Sequence, residues 1–247
     1  MENSSSTTSI GDNSVNRHLQ VHRMLVKSKE SHLHCSSLSL CRKAVFFGTL
    51  QLMTTFTTDG QPAQSINKSN WRNVGRTRLV HLAQEHPDML EVGLQVPQCD
   101  VFGDEHEKIN SHRTYAADTQ ARDFRYVIYA EGACGWADRL KTLMLYNSTI
   151  LLQNTSCSEF YRDLMEPYVH YIPVKGNFDD LVEKISWARN NDRQAADIAR
   201  NAMALHQEYL NVSAIRCYMN RIFDRYSKLT KYSPVRRPGT QVEWQLL

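Results

Sequence analysis

YVIYAEGACGWADRLKTLMLYNSTILLQ, residues 126–153, reads as strand, glycine turn, helix and strand in succession. The first strand belongs to FRYVIYA (124–130), which is nearly all apolar, as a parallel strand covered on both faces must be. Trp136, Leu140, Leu143 and Met144 then fall at i, i+4, i+7 and i+8, the buried stripe of an amphipathic helix. STILLQ supplies the next strand. Gly132 and Gly135 stand where the first strand hands over to the helix, and Arg139 follows in the helix's opening turn.

The same alternation extends outward. Upstream, KAVFFGTL (43–50) is a short apolar run ending in a turn, GRTRLVHLAQEH (75–86) puts Leu79, Leu82 and Ala83 on one helical face, and LEVGLQV (90–96) predicts a strand. The loop TTFTTDGQPAQSINKSNW between them is long and polar, and DVFGDEHEKINSHRTYAADTQARD (100–123) is expected to cross the surface. Downstream, YVHYIPV (168–174) predicts a strand containing His170, with Asn177 as N-cap of a helix carrying Asp179 and Asp180 in its first turn. Leu181, Ile185 and Ala188 give that helix its buried stripe. Ala195, Ile198, Ala199, Ala202 and Leu205 mark a second helix, and Ile215, Tyr218, Met219, Ile222 and Tyr226 a third, whose aromatic stripe is expected to pack in the core.

Strands alternating with helices mean an α/β fold: a Rossmann-like parallel sheet with helices on both faces, here over residues 44–232. Residues 1–38, rich in Ser, Thr, Asn and His, read as a disordered polar lead-in, and 233–247 as a C-terminal tail. His32, His34 and Cys35 cluster in that lead-in without the setting of a metal site.

Bulk properties remove several classes of function. The chain has 247 residues, 41% hydrophobic and 22% charged, with net charge +3, too mild a balance for a nucleic-acid binder. No apolar run is long enough to span a bilayer, and the N-terminus has no apolar leader, so the chain as written is expected in the cytoplasm. Six dispersed cysteines without a C-x-x-C pair argue against structural zinc. Sequons at Asn3, Asn67, Asn147, Asn154 and Asn211 point weakly the other way, to a luminal ancestry.

A glycine turn opening a helix offers free N–H groups and the positive end of the helix dipole, and Arg139 adds a forked cation. That suits a diphosphate. A tight strand-to-helix turn with a solvated arginine explains the same residues, and G-x-x-G falls short of the dinucleotide fingerprint. No acidic residue closes a second strand at the distance a dinucleotide-dependent oxidoreductase requires.

The stretch from Arg139 to Ala199 resembles the protein O-glucosyltransferases, the Rumi-like and capsule-associated enzymes of glycosyltransferase family ninety. The resemblance rests on the glycine turn with Arg139 and Lys141, Asn147-Ser148 before a strand, the acidic-aromatic step Glu159-Phe160, Pro167, VHYIPVK (169–175) and DDLVEKISWARNND. HPDMLEVGL and VFFGT upstream fit the same pattern, so coverage runs from about Ala44 to Gly239.

The resemblance implies the C-terminal, nucleotide-sugar-binding half of a GT-B glycosyltransferase, using UDP-sugar as donor substrate, with no metal and no other cofactor. It implies transfer of glucose or xylose to Ser or Thr of a protein or to a glycan, in the endoplasmic reticulum or Golgi lumen for the full-length type. It puts Arg139 at the diphosphate with the Gly132–Gly135 turn beside it, Gly48 and Thr49 as a second wall, and Glu159 and Phe160 near the nucleoside.

The chain departs from that pattern in three places. Where the family's phosphate strand reads F-R-G-S-R, this one has Phe46, Phe47, Gly48, Thr49 and Leu50, leaving Arg72, Arg76 or Arg78 as substitutes for two lost arginines. Ala137 stands where the family often has serine, in a turn one residue longer. The acceptor domain that would carry a catalytic aspartate is expected to be missing, since Glu2, Asp12 and Glu30 are the only acidic residues before Lys43, so no catalytic base is assigned. A non-catalytic nucleotide-sugar-binding or interaction domain is the alternative reading.

Overall fold

The computed structural model describes residues 42–50, 65–96, 102–111, 115–132, 137–156 and 158–231. The lead-in, the His32–His34–Cys35 cluster, Gly135, Trp136 and the tail lie outside the described residues.

The elements follow in the order β1 (Ala44–Thr49), α1 (Gly75–Glu85), β2 (Leu90–Gln95), α2 (His106–Ile109), α3 (Ala117–Asp123), β3 (Tyr126–Tyr129), α4 (Arg139–Met144), β4 (Thr149–Gln153), β5 (Ile172–Val174), α5 (Leu181–Asn190), α6 (Asp192–Tyr209) and α7 (Val212–Leu229). The strands form one all-parallel sheet in the order β2-β1-β3-β4-β5. Alternate residues feed two separate cores. Phe46, Tyr126, Ile128, Leu151 and Ile172 pack with α1 and α5, while Val45, Phe47, Val127, Ile150 and Leu152 pack with α4 and α6. Both faces are therefore dry, which is why the strands read as continuous apolar runs.

Chain order runs outward from β1 to β2 and then returns to the other side of β1 for β3. That reversal makes the β1–β3 junction the topological switch point, where open parallel sheets form a crevice at their carboxyl ends.

Four expectations need correcting. The segment 100–123 is not a plain surface crossing, because it contains α2 and α3 and buries Phe102, Ile109, Gln120 and Ala121. The strand predicted over 168–174 shrinks to β5, since Tyr168 has φ 59°, a left-handed conformation no strand accommodates. His170 therefore sits in a turn rather than in a strand, and its Nδ1 accepts the Glu166 N–H at 3.0 Å. Asn177 does not cap α5; the cap position is Asp180, and Asn177 instead holds Asp179 locally.

The fourth correction concerns α7. Its stripe is helical as predicted, but no residue of it is buried: Tyr218 is 42% exposed and Tyr226 63%.

Candidate functional site

β1 pairs with β2 along its whole length but with β3 only at Ala44 and Val45. Beyond Val45 the two strands part, and the backbone groups β3 would have satisfied need other partners. Side chains supply them. Gln120, buried on α3, accepts the Phe47 N–H at 3.0 Å and donates to the Phe47 carbonyl at 3.0 Å, imitating a neighbouring strand. Its amide also donates to the Tyr115 carbonyl at 2.7 Å.

Two arginines fill the rest of the wedge. Arg139 Nη1 donates to the Phe47 carbonyl at 2.9 Å. Arg76 Nε donates to the Glu131 carbonyl and Nη1 to the Thr49 carbonyl, each at 2.8 Å, with Nη2 3.5 Å from the Ala130 carbonyl. Both guanidinium groups lie over the ring of Phe46, with Cζ 4.8 Å from its centroid for Arg139 and 5.3 Å for Arg76. Burial, then the charge of Arg139, brings the Arg76 pKa down to about 10, and burial lowers that of Arg139. Each remains a cation at neutral pH. Arg139 makes no ion pair among the described residues.

Gly48 explains how close the cation comes to the strand. A Cβ there would stand 3.1 Å from Arg139 Nη2 and 3.2 Å from the Phe46 ring. The cavity above the strand end has a volume of about 230 Å³ and is lined by Gly48, Thr49, Gln95, Tyr115, Gln120 and Arg139, among others. A larger groove of about 690 Å³ runs along α7 past Arg216, Arg221 and Arg225. Its lining comes from that single helix, whereas residues of β1, β2, α3 and α4 converge on the smaller cavity.

The other predicted residues lie as follows. Gly132 is buried just beyond β3, next to Glu131, whose N–H donates to Gln153 Oε1 at 2.7 Å. Tyr129, at the end of β3, accepts the Ala137 N–H at 2.9 Å, and burial raises its pKa, with Glu159 adding to the rise and Arg162 and Arg139 opposing it. Glu159 accepts a hydrogen bond from the buried Tyr161 phenol at 2.8 Å. Burial and that bond push Tyr161 well above the usual phenol range. Phe160 is 55% exposed, edge-on to Tyr161 and stacked on Tyr218 at 5.0 Å.

Among the three candidate substitutes for the lost arginines, only Arg76 reaches the crevice. Arg72 pairs with Glu105 at 2.6 Å and Arg78 with Asp179 at 2.5 Å. Sequence reasoning missed Gln120, because a polar residue in a polar segment carries no signal of burial. Among the described residues no group of three or more His, Cys, Asp or Glu is arranged to hold a metal ion.

The sequence model of glycosyl transferase family 90 matches residues 64–245. The chain belongs to that family. Human protein O-glucosyltransferase 3 is 29% identical over 167 residues, covering 68% of this chain and 32% of that protein. Its mouse counterpart is 27% identical over 211 residues, covering 80% and 41%, and zebrafish protein O-glucosyltransferase 2 is 28% identical over 186 residues, covering 72% and 36%. This family 90 chain thus spans roughly a third to two-fifths of the length of these curated relatives. Among solved structures, Anabaena Alr3699/HepE in complex with UDP superposes with TM-score 0.51 at 16% identity, covering 81% of this chain and 52% of that one. The fold is that of one half of a GT-B glycosyltransferase. No helix of the described residues is long and apolar enough to cross a membrane.

Proposed function

We propose that this family 90 chain carries the UDP-sugar-binding half of a metal-independent O-glycosyltransferase, which moves glucose or xylose to a hydroxyl of Ser, Thr or a glycan. The observation that carries the reading is the wedge between β1 and β3, where Arg139 stands beside Gly48 and makes no ion pair with a carboxylate among the described residues. A leaving UDP gains negative charge as the glycosidic bond breaks, and a preorganised cation at that point lowers the barrier. Arg139, held by the Phe47 carbonyl, needs little reorganisation to meet it. Gly48, Thr49 and Gly132 let backbone approach the phosphates, Gly135 is assigned to the same phosphate site from its place in the sequence, and Glu159 with Phe160 receives the nucleoside. No catalytic base is assigned among these residues. Protein and glycan acceptors, and the half of the enzyme that binds them, belong to the whole protein.

Isothermal titration of the purified chain with UDP tests this, beside Arg139→Ala. A charge-assisted bond to phosphate is worth about 1.5–3 kcal/mol, so the substitution should weaken binding by roughly 10- to 150-fold. Absence of UDP binding at millimolar concentration by the unsubstituted chain would overturn the reading.

One observation favours a non-catalytic nucleotide-sugar-binding or interaction domain. Phe47 stands where the family pattern has arginine, and its ring packs edge-on against Tyr115 at 4.7 Å, building an apolar wall into the crevice. Transfer of sugar from a UDP donor by the purified chain would exclude that alternative.

A further inference from the structure

The arginine-rich crevice contains a second cation whose place differs from that of Arg139. Arg76 is 4% exposed, on a helix that follows β1, yet its guanidinium reaches the carbonyls of Thr49, Ala130 and Glu131. Those carbonyls belong to the ends of two strands that stopped pairing at Val45 and Val127. Arg139 and Gln120 each hold β1 at Phe47. Among the described residues, Arg76 is the side chain that ties the end of β1 to the residues following β3.

We infer that Arg76 is a positioning residue for the anionic part of the donor, fixing the gap between the Gly48–Thr49 and Glu131–Gly132 backbones while adding its own positive charge beneath it. The inference rests on the proposed UDP-sugar reading of the crevice. A buried arginine is a costly way to join two strand ends, because its charge must leave water. The charge of Arg139 makes that cost larger and the buried Glu131 carboxylate offsets part of it, and burial remains the main reason the Arg76 pKa is lowered. The expense is recovered when a dianion enters, since the field of both guanidinium groups then acts across a short, dry distance. With its donors turned to carbonyls, Arg76 acts through the backbone and through its charge.

The distinction from a purely structural role is measurable. The purified chain and its Arg76→Gln and Arg76→Lys variants are titrated with UDP, UMP and uridine, and each variant's fold is checked by circular dichroism. Arg76→Gln is expected to lose tenfold or more in UDP affinity, less for UMP, and under twofold for uridine. Arg76→Lys keeps the charge but cannot span three carbonyls, so it should fold and lose an intermediate amount of UDP affinity. If Arg76→Gln does not fold, that intermediate, phosphate-dependent loss in Arg76→Lys carries the test. Equal losses for all three ligands, or a folded variant with unchanged UDP affinity, would overturn the inference. If the unsubstituted chain fails to bind UDP, the functional reading falls and takes this role with it. Binding by the unsubstituted chain with an indifferent Arg76 removes only the role.

Discussion

At the scale of single residues, the crevice depends on two positions that tolerate no enlargement or loss. Gly93 on β2 faces β1, and a Cβ there would stand 2.4 Å from the Phe47 ring and 2.7 Å from Ser111 Oγ. A buried ring cannot swing aside as a flexible chain end can, so Gly93→Ala should destabilise by about 1–3 kcal/mol in urea unfolding. Gly48 differs, because part of what a methyl group would meet is the far end of Arg139. Gly48→Ala should cost less stability than Gly93→Ala, since its contacts with the Phe46 ring begin at 3.2 Å, and should shift that guanidinium and weaken UDP binding. Gln120→Leu keeps the volume but removes the partner of the buried Phe47 N–H and one donor to the Tyr115 carbonyl. Leaving such groups unpaired costs about 1–3 kcal/mol each, which equilibrium unfolding would register.

At the scale of elements, what could be read from sequence was whatever depends on apolar period. β3, α4 and β4 were legible because Val127, Ile128, Leu140, Leu143, Leu151 and their neighbours are buried on both faces of a parallel sheet. α3 was not, because its decisive residue is polar and its burial is set by strands distant in sequence. Arg139 was legible from its place after the glycine turn, whereas Arg76 stood level with Arg72 and Arg78 until packing separated them. α6 also carries a pH dependence. His206 lies on the packed side of that helix, its buried Nδ1 has no hydrogen-bond partner among the described residues, and burial lowers its pKa from the ordinary 6.5. The unfolded chain therefore takes up the proton first, so stability is full above pH 6.5 and is lost as pH falls from there to the lowered folded-state value. His170 is lowered by burial too, and contributes with the same sign. Urea midpoints compared at pH 7.5 and pH 5 should fall for the unsubstituted chain and fall less for His206→Leu; an identical drop would remove His206 as a source.

At the scale of the whole molecule, periodicity and burial part company in α7. Val212, Ile215, Met219, Ile222, Tyr226 and Leu229 alternate at spacings of three and four, the seam that identifies an amphipathic helix. Spacing specifies which residues share a face, but it carries no information on whether anything covers that face. In this chain α7 meets the rest of the domain mainly through its approach to α6 and the Phe160–Tyr218 stack, and Leu229 is 76% exposed. The stripe should therefore contribute little to the stability of the sheet domain. Replacing Tyr226 and Leu229 together by glutamine, which preserves helix propensity, is expected to change the free energy of unfolding by less than about 1 kcal/mol. Leu205→Ala, on the buried face of α6 beside the sheet, should cost about 2–5 kcal/mol in the same measurement. A loss above about 2 kcal/mol in the double variant would mean that the stripe is covered in solution, because largely exposed apolar side chains have little burial energy to forfeit.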